Sequence, residues 1–360
     1  MESLLGFFSS WVIFAGILGL HLVFPARRVT GYVRERGSDE RLTYRLNGPL
    51  VLLVAIILWF GLSSSSAIPW DWLWLQRWSG LAGAASLGLI ISVAVVFTER
   101  TQGRSWLAEL YRGRRFNPQM FNRRADAKMV LYLLGAVLLE LNLLSFGAHH
   151  FLVHSDNPSP GVVLYVVLFS WFVWDYLVFE RVHLYTYDLF AERVGFKLVW
   201  GCLAWYPYFY AVGLWSVADK PNPQSPIWLL GLASAVFFAG WILARGSNMQ
   251  KYYFKLNPTH KFIGVFEPQR LSDARHQLLY SGFWGISRHI NYLGELLMAI
   301  GLTLALGWPF EIAPWSYPLY YIVLLIPRQI QDDKRCAEKY GELWSEYRRR
   351  VPWRIVPKVY

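Results

Sequence analysis

The sequence predicts an all-α fold, a polytopic membrane helical bundle of about nine or ten transmembrane helices. Three observations favour this class. The 360 residues are 55% hydrophobic and 16% charged, with a mean hydropathy of +0.28, whereas a soluble domain carries about 25% charged residues. Apolar segments of roughly 20 residues, which can cross a hydrocarbon core of about 30 Å, recur along the chain. Basic residues also cluster in alternate loops.

Nine apolar segments account for the predicted helices. The first has no preceding basic residue and no small-residue cleavage site, so we expect a retained span and not a signal peptide. A tenth helix would need a re-entrant or interfacial segment within residues 262–291. In chain order the nine segments lie at about 7–25, 48–66, 80–98, 128–148, 161–179, 196–217, 227–245, 292–307 and 314–328.

The lysines and arginines predict the orientation. If the N-terminus lies outside, all of them except Arg77 and Lys220 fall in the inner loops and the C-terminal tail. Such residues favour the cytoplasmic side, so the C-terminus is predicted to be cytoplasmic, in a bacterial inner membrane or the endoplasmic reticulum. The net charge of +11 then reflects topology and attraction to membrane lipids. Its spread over many loops argues against a nucleic-acid partner.

Polar residues crowd the inner ends of the last helices. In the tail, Arg328, Asp332, Cys336 and Tyr340 recur every four residues, so they share one face of a helix. A cation, an anion, a thiol and a phenol do not suit a surface that faces lipid. We therefore expect this stripe to face the protein interior or a water-filled cavity.

Four basic residues in this region could hold a phosphate ester or a pyrophosphate. They are Lys251, Lys255, Arg288 and Arg328. Guanidinium groups suit phosphate oxygens, and lysine supplies point charges. The alternative is that these side chains only extend to lipid headgroups. No glycine-rich turn follows a predicted strand, so a bound dinucleotide would not use a Rossmann turn.

Two C-terminal motifs resemble the sterol reductase family, which includes Δ14- and Δ7-sterol reductases, the ergosterol-biosynthesis reductases and the membrane part of the lamin B receptor. They are SGFWGISRHINYLGEL at 281–296 and RQIQDDKRCAEKYGELWSEYRRRVPWRIVPKVY at 328–360. ERVHLYTYDLFAERVGFKLVWGCLAWYPYFY at 180–210 is similar to a further family segment. RLTYRLNG at 41–48 and, more loosely, RRFNPQMFN at 114–122 resemble two others.

The resemblance implies an NADPH-dependent oxidoreductase that reduces a carbon–carbon double bond of a sterol. It implies a single integral-membrane reductase domain over 1–360, with N-terminal helices in 1–125 and a catalytic half in 126–360 that holds the NADPH and sterol pockets. Tyr210 and Tyr347 match tyrosines near the reactive pocket, and Asp332 is a proton-transfer partner. The implied NADPH contacts are Lys251, Lys255, Trp284, Arg288, Asn291, Tyr292, Arg328, Asp332, Cys336 and Tyr340.

The expected chemistry agrees with these residue types. An isolated alkene accepts hydride poorly, so an acid must first protonate it to a tertiary carbocation before hydride transfer. A phenol with a pKa near 10 can serve as the acid when nearby cations or hydrogen bonds assist it. Aromatic faces can stabilise the cation, and a dry pocket limits its capture by water.

Departures from the family pattern leave the reduced double bond open. Pro327 replaces a histidine, Gln331 and Gln119 replace arginines, and Lys255 replaces an arginine. The NYLGE motif at 291–295 favours a Δ14 over a Δ7 substrate. Two other classes stay open: an S-adenosylmethionine-dependent membrane methyltransferase of the isoprenylcysteine type, and a non-catalytic sterol-binding scaffold.

The histidines of the outer side predict no metal site. His149, His150 and His154 lie together, and Asp156 is the nearest carboxylate in the sequence. Without a cysteine or further acids nearby, we expect an interfacial role for them, although an outer metal site is the alternative. Cys202 and Cys336 do not indicate a disulfide framework.

Overall fold

A computed structural model describes residues 2–35, 38–98, 100, 101, 103 and 105–360. The chain forms two compact units, Met1–Pro223 and Gln224–Tyr360. Both are helical, as predicted. Strands in the described residues form three two-stranded antiparallel sheets.

The N-terminal unit begins with helix α1 (Glu2–Val23), the hairpin β1 (Arg27–Arg34) and β2 (Arg41–Leu46), and helix α2 (Gly48–Ser64). The hairpin connects two apolar helices, so the end of α1 and the start of α2 lie on the same side. The next elements are α3 (Trp72–Leu75), α4 (Arg77–Phe97), α5 (Trp106–Arg112), β3 (Gln119–Met120), β4 (Ala125–Asp126), α6 (Ala127–Val153) and α7 (Pro160–Val178).

Helix α6 is the buried centre of this unit. Most of its residues are buried, and α1, α2, α3 and α7 pack around it. Asp126 starts it as an N-cap, accepting hydrogen bonds from the main-chain amides of Lys128 and Met129. Around this centre α1 and α4 approach closely, because a Cβ atom at Gly83 would lie 1.9 Å from the carbonyl oxygen of Phe7.

The sixth predicted span is not one helix. Residues 180–217 form α8 (Glu180–His183), α9 (Tyr187–Phe190), α10 (Phe196–Trp200), a π-helical turn (Gly201–Trp205), α11 (Tyr206–Phe209) and α12 (Val212–Val217). A π-turn interrupts the regular hydrogen-bond ladder, and Pro207 has no amide hydrogen to donate to it. The prediction of a continuous span at 196–217 was therefore wrong in form.

The C-terminal unit contains α13 (Ile227–Leu256), β5 (Arg270–Ser272), β6 (Gln277–Leu279), α14 (Phe283–Ile286), α15 (Ile290–Ala305), α16 (Ile312–Tyr340) and α17 (Glu342–Arg350). Helices α13 and α15 are in direct contact, since a Cβ at Gly294 would lie 2.4 Å from the amide nitrogen of Ala244. Residues 262–291, all described, contain a hairpin and a single helical turn in place of the tenth helix considered above.

Among the described residues, five helices are long and apolar enough to cross a membrane: Ser3–Val23, Arg77–Phe97, Ala127–Val153, Pro160–Val178 and Ile227–Leu256. Two shorter apolar helices, Gly48–Ser64 and Ile290–Ala305, match further predicted segments. Helix α16 is apolar only in its first half. It then continues without interruption through the polar stripe that the sequence placed on one helical face.

Candidate functional site

The polar stripe of α16 is turned inward. Arg328, Asp332, Cys336 and Tyr340 are all half-buried, whereas the neighbouring Lys334 is exposed. The spacing of four residues keeps the four side chains on one face because the helix is continuous from Ile312 to Tyr340. The stripe therefore continues, in polar form, the buried face of the apolar half of this helix.

The C-terminal turns of α13 bring two lysines to the polar face of α16. With 30 residues the helix is about 45 Å long, which exceeds a hydrocarbon core of about 30 Å, so its last turns project. Lys251 and Lys255 lie there, and the Nζ atom of Lys251 is 4.8 Å from the centre of the Trp284 ring. Lys339, Arg335 and Asp332 of α16 act electrostatically on Lys255. The end of α13 thus faces the polar half of α16.

Helix α14 is fixed to α13 by hydrogen bonds. The indole Nε1 of Trp284 donates to the carbonyl oxygen of Ser247 at 2.8 Å. The buried side chain of Gln250 accepts from the amide of Phe283 at 3.0 Å and donates to the carbonyl of Ser281 at 3.2 Å. Gly282, with a φ of +62°, makes the turn between them. These contacts hold the Trp284 ring beneath the Lys251 ammonium.

Arg288 holds the C-terminal segment. Its Nη1 atom donates to the carbonyl oxygens of Val351 and Pro352, both at 3.2 Å. Its Nε atom lies 3.6 Å from a carboxylate oxygen of Asp333. Burial lowers the pKa of this guanidinium, and the Asp333 charge opposes that effect. Its side chain is 4% exposed, and these contacts give it a structural role in the unit.

His289 is a buried neutral base that the sequence-based site did not include. Its imidazole stacks on the Tyr292 ring, with centroids 4.9 Å apart. Burial lowers its pKa to about 4; the charge of Asp332 opposes this, and Lys251, Arg288 and Arg328 reinforce it. The RHINY motif contained the only available signal, since His289 stands between two residues assigned to the nucleotide. His289 therefore lies in the field of four of the predicted site residues.

Two ion pairs of α16 were also not predicted from the sequence. The carboxylate of Asp332 accepts a hydrogen bond of 3.0 Å from Arg335, three residues later, and Asp333 is the partner of Arg288. The signal was the DDKR stretch at 332–335, in which acids and cations at helical spacing pair along and across the helix. Asp332 is thus oriented by a neighbouring cation.

Tyr347 lies in an apolar cluster with Trp344, Val351, Cys336 and Tyr340. Burial raises the pKa of its phenol, an effect that Arg288 opposes, so the side chain is a neutral donor at physiological pH. Burial also raises the pKa of the Cys336 thiol to about 11, which keeps it protonated and unreactive. Cys202 and Cys336 are both free thiols.

Asn291 and Tyr292 begin α15, next to His289. Tyr292 is 9% exposed, and its amide donates to the carbonyl of His289 at 2.9 Å. Among the described residues, the Oδ1 atom of Asn291 and the Nε2 atom of His289 are buried without a hydrogen-bond partner. Such atoms call for a partner, because an unmade buried hydrogen bond costs about 1–3 kcal/mol.

Tyr210 belongs to the N-terminal unit, whereas every other predicted site residue belongs to the C-terminal unit. It follows α11 and is half-buried. Its carbonyl oxygen accepts a hydrogen bond of 3.3 Å from Tyr165, and its ring meets that of Tyr206 edge to face at 4.7 Å. The Tyr206 ring thus packs against the Tyr210 ring.

His149 pairs with acids that the sequence did not indicate. His149 lies between carboxylate oxygens of Asp71 at 2.9 Å and Asp219 at 2.7 Å, and it stacks on Trp74. The expectation that Asp156 was the nearby carboxylate was wrong, because folding brings together three distant segments. No cluster of three metal-ligating side chains occurs among the described residues.

Comparison with known proteins identifies the family. Residues 2–360 match the Ergosterol biosynthesis ERG4/ERG24 family. The chain is 33% identical to the Delta(14)-sterol reductase of Arabidopsis thaliana over 356 residues, which cover 94% of this chain and 91% of that relative. It is 31% identical to the Delta(14)-sterol reductase of Methylotuvimicrobium alcaliphilum over 375 residues, 99% of this chain and 83% of that relative.

A mouse protein extends the same similarity to animals. The Delta(14)-sterol reductase TM7SF2 of Mus musculus is 32% identical over 365 residues, which cover 95% of this chain and 84% of that relative. The similarity thus spans almost the full length in each comparison and includes both C-terminal motifs. By this match the chain belongs to the Ergosterol biosynthesis ERG4/ERG24 family.

Proposed function

We propose that this chain is an integral-membrane reductase that uses NADPH to reduce a carbon–carbon double bond of a sterol, with the Δ14 bond as the favoured position. The names of the relatives support the substrate class and the Δ14 position. The observation that carries the proposal is the inward-facing stripe of α16, half-buried beside the lysines of α13.

The chemistry fits a phosphate-bearing nucleotide in a cradle formed by Lys251, Lys255, His289, Arg328 and Asp332. Three cations and one carboxylate act on Lys255, and three cations and one carboxylate act on His289. Such an excess of positive charge is stabilised by a bound anion. The partnerless polar atoms of His289 and Asn291 offer further hydrogen bonds, as a ribose or an amide would require. Lys251, Lys255 and Arg328 would contact the phosphates, and Asn291 and Tyr292 would contact a less charged part.

When bound, NADPH supplies the hydride. The protein must supply the proton, because an isolated alkene accepts hydride only after protonation. We assign this donor role to Tyr210, a half-buried phenol, with Asp332 as a proton-transfer group among the nucleotide contacts. Tyr347 matches a family tyrosine as well, but its hydroxyl already donates to the carbonyl of Trp284, so we propose that it positions Trp284. His289 is neutral, so it offers the proposed site a polar imidazole without adding a positive charge.

Substrate reduction by purified protein tests the proposal directly. The protein, in detergent or nanodiscs, is incubated with NADPH and separate Δ14, Δ7 and Δ24 sterols, and the products are identified by mass spectrometry. We expect a gain of two hydrogens with the Δ14 sterol, and less or none with the others. Failure to reduce any of them, together with binding of S-adenosylmethionine but not NADPH, would replace the proposal with a methyltransferase. Sterol binding without reduction would indicate a scaffold.

The same proposal includes the domain and the topology. We propose one reductase domain over 1–360, with helices of 1–125 preceding a catalytic half, and a cytoplasmic C-terminus. The basic inner loops support this orientation. Protease access to a C-terminal tag in sealed inside-out vesicles, but not in right-side-out vesicles, is the expected result.

A further inference from the structure

Two sequence motifs without a role in the proposed reaction meet in the N-terminal unit. RLTYRLNG forms β2, and RRFNPQMFN leads into β3 and the turn that follows it. Both line a cavity of about 310 Å³ between the β1–β2 hairpin and residues 119–124. A cavity of this size is at the lower end of the range for small-ligand sites. The two motifs therefore build a common structure.

The cavity is rich in arginine. Arg28, Arg41, Arg45, Arg123 and Arg124 line it. Arg28 and Arg45 are direct partners in the β1–β2 register, and like charges at such positions repel each other. Burial and the charges of Arg124 and Arg28 lower the pKa of Arg45. This arrangement concentrates positive charge at one point of the molecule.

The two acids of the cavity do not balance its five arginines. Glu35 and Glu40 also line it, but Glu35 pairs with Arg123 at 2.6 Å. No salt bridge to Arg28, Arg45 or Arg124 occurs in the described part of the chain. In addition, the Nε atom of Arg45 is buried without a hydrogen-bond partner. An unused donor and unneutralised cations together match a small anion with several acceptor oxygens.

Backbone strain lies on one wall of the cavity. Phe121, Asn122 and Arg123 have φ values of 50°, 53° and 64°, in the left-handed region that residues with a side chain rarely adopt. None of the three is glycine. Strain of this kind persists where the surrounding structure over-determines it and often accompanies ligand sites. Here it presents Arg123 and Arg124 at the cavity.

The position of the cavity points to the membrane surface. The Nη2 atom of Arg45 donates to the carbonyl oxygen of Phe24 at 2.8 Å, and Arg124 donates to that of Leu22; both acceptors stand at the end of α1. The start of α2 follows β2, and α6 begins directly after β4. The cavity is therefore placed at the common ends of three apolar helices, at the depth where lipid headgroups lie.

We propose that this cavity binds the phosphate group of an acidic phospholipid headgroup. The arginines pair with the phosphate oxygens. Such binding neutralises the facing Arg28 and Arg45 and anchors the hairpin at the membrane surface. A free phosphate shares this chemistry, and the experiment distinguishes the two sources.

Native mass spectrometry of delipidated protein in detergent tests the inference. The protein is titrated with dioleoylphosphatidylglycerol, with zwitterionic dioleoylphosphatidylcholine, and with phosphatidylglycerol in the presence of inorganic phosphate. We expect tighter binding of the anionic lipid, and Arg28→Gln to weaken it about fivefold, as for one surface arginine. Arg28 is exposed, so this variant should fold. Arg41→Gln, also exposed and lining the cavity, should act in the same direction.

Arg27→Gln is the matched control. Arg27 precedes Arg28 on β1, is also exposed, and does not line the cavity, because successive strand residues point to opposite faces. It should bind the anionic lipid as the wild type does. Equal binding of the two lipids, or equal loss in Arg27→Gln and Arg28→Gln, would overturn the inference. Displacement of the lipid by millimolar inorganic phosphate would assign the cavity to free phosphate, and absence of displacement would assign it to the headgroup.

Discussion

The hydroxyl of Tyr347 donates a hydrogen bond of 3.0 Å to the main-chain carbonyl oxygen of Trp284, across 63 residues of sequence. The bond is buried and joins α17 to α14. Because the Trp284 ring lies under Lys251, it connects the C-terminal helix to the proposed nucleotide cradle.

Tyr347→Phe should destabilise the proposed nucleotide cradle without abolishing NADPH binding. The variant loses one buried hydrogen bond, and we expect the free energy of unfolding to fall by about 1–2 kcal/mol and NADPH affinity to fall modestly. Tyr253→Phe on α13 is the control, since the described part of the chain gives its hydroxyl no hydrogen-bond partner. Thermal unfolding and NADPH titration provide the readouts. Loss of all sterol reduction with unchanged NADPH affinity would instead make Tyr347 a proton donor.

Arg328→Gln should lower NADPH affinity by about tenfold or more, as expected for loss of a charge-assisted contact to phosphate. Lys334→Gln removes the same charge from the same helix, but Lys334 is exposed, so its affinity should stay near that of the wild type. Isothermal titration with NADPH measures both. Equal affinities in the two variants would show that the stripe does not hold the nucleotide.

Arg288→Ala should loosen the C-terminal segment. It leaves two carbonyl oxygens and the Asp333 carboxylate without their buried cation, and breaking such an arrangement costs about 3 kcal/mol. Limited proteolysis should then cut within residues 351–360 faster than in the wild type. Arg349→Ala, which breaks a surface pair with Glu346, should leave the stability near that of the wild type, because exposed ion pairs contribute little. If residues 351–360 of Arg288→Ala were cut no faster than in the wild type, Arg288 would not be what holds the C-terminal segment.

His289 should make the protein less stable in mild acid. Its pKa is lowered to about 4 in the folded protein against about 6.5 in an unfolded chain. The unfolded state therefore binds more protons between these values, and stability falls as pH falls through this window. Between pH 7.5 and 5.0 the loss should be about 2 kcal/mol, measured by thermal unfolding.

His289→Gln should remove that part of the pH dependence. The remaining dependence measures the other titrating groups, so the difference between the two curves isolates His289. A wild-type protein as stable at pH 5.0 as at pH 7.5 would mean that the imidazole is charged beside Asp332 in the folded state.

Much of the helical framework could be predicted because its signals are local. Runs of about 20 apolar residues predicted the long spans, and five of them are long helices in the described residues, whereas the run at 196–217 is broken into short pieces. Spacing of four residues placed Arg328, Asp332 and Cys336 on one face, which holds in any continuous helix. The motifs at 281–296 and 328–360 indicated the family from their sequences alone, without their tertiary contacts.

The sequence by itself thus determined the elements and the composition of the proposed cradle, and the tertiary structure decided what each side chain contacts. The attachment of Arg288 to Val351 and Pro352, the burial of His289, and the pairing of His149 with Asp71 and Asp219 all join segments far apart in the chain. Periodicity records only which residues share a face. Which faces meet depends on the packing of whole helices, and burial and pKa follow from that packing.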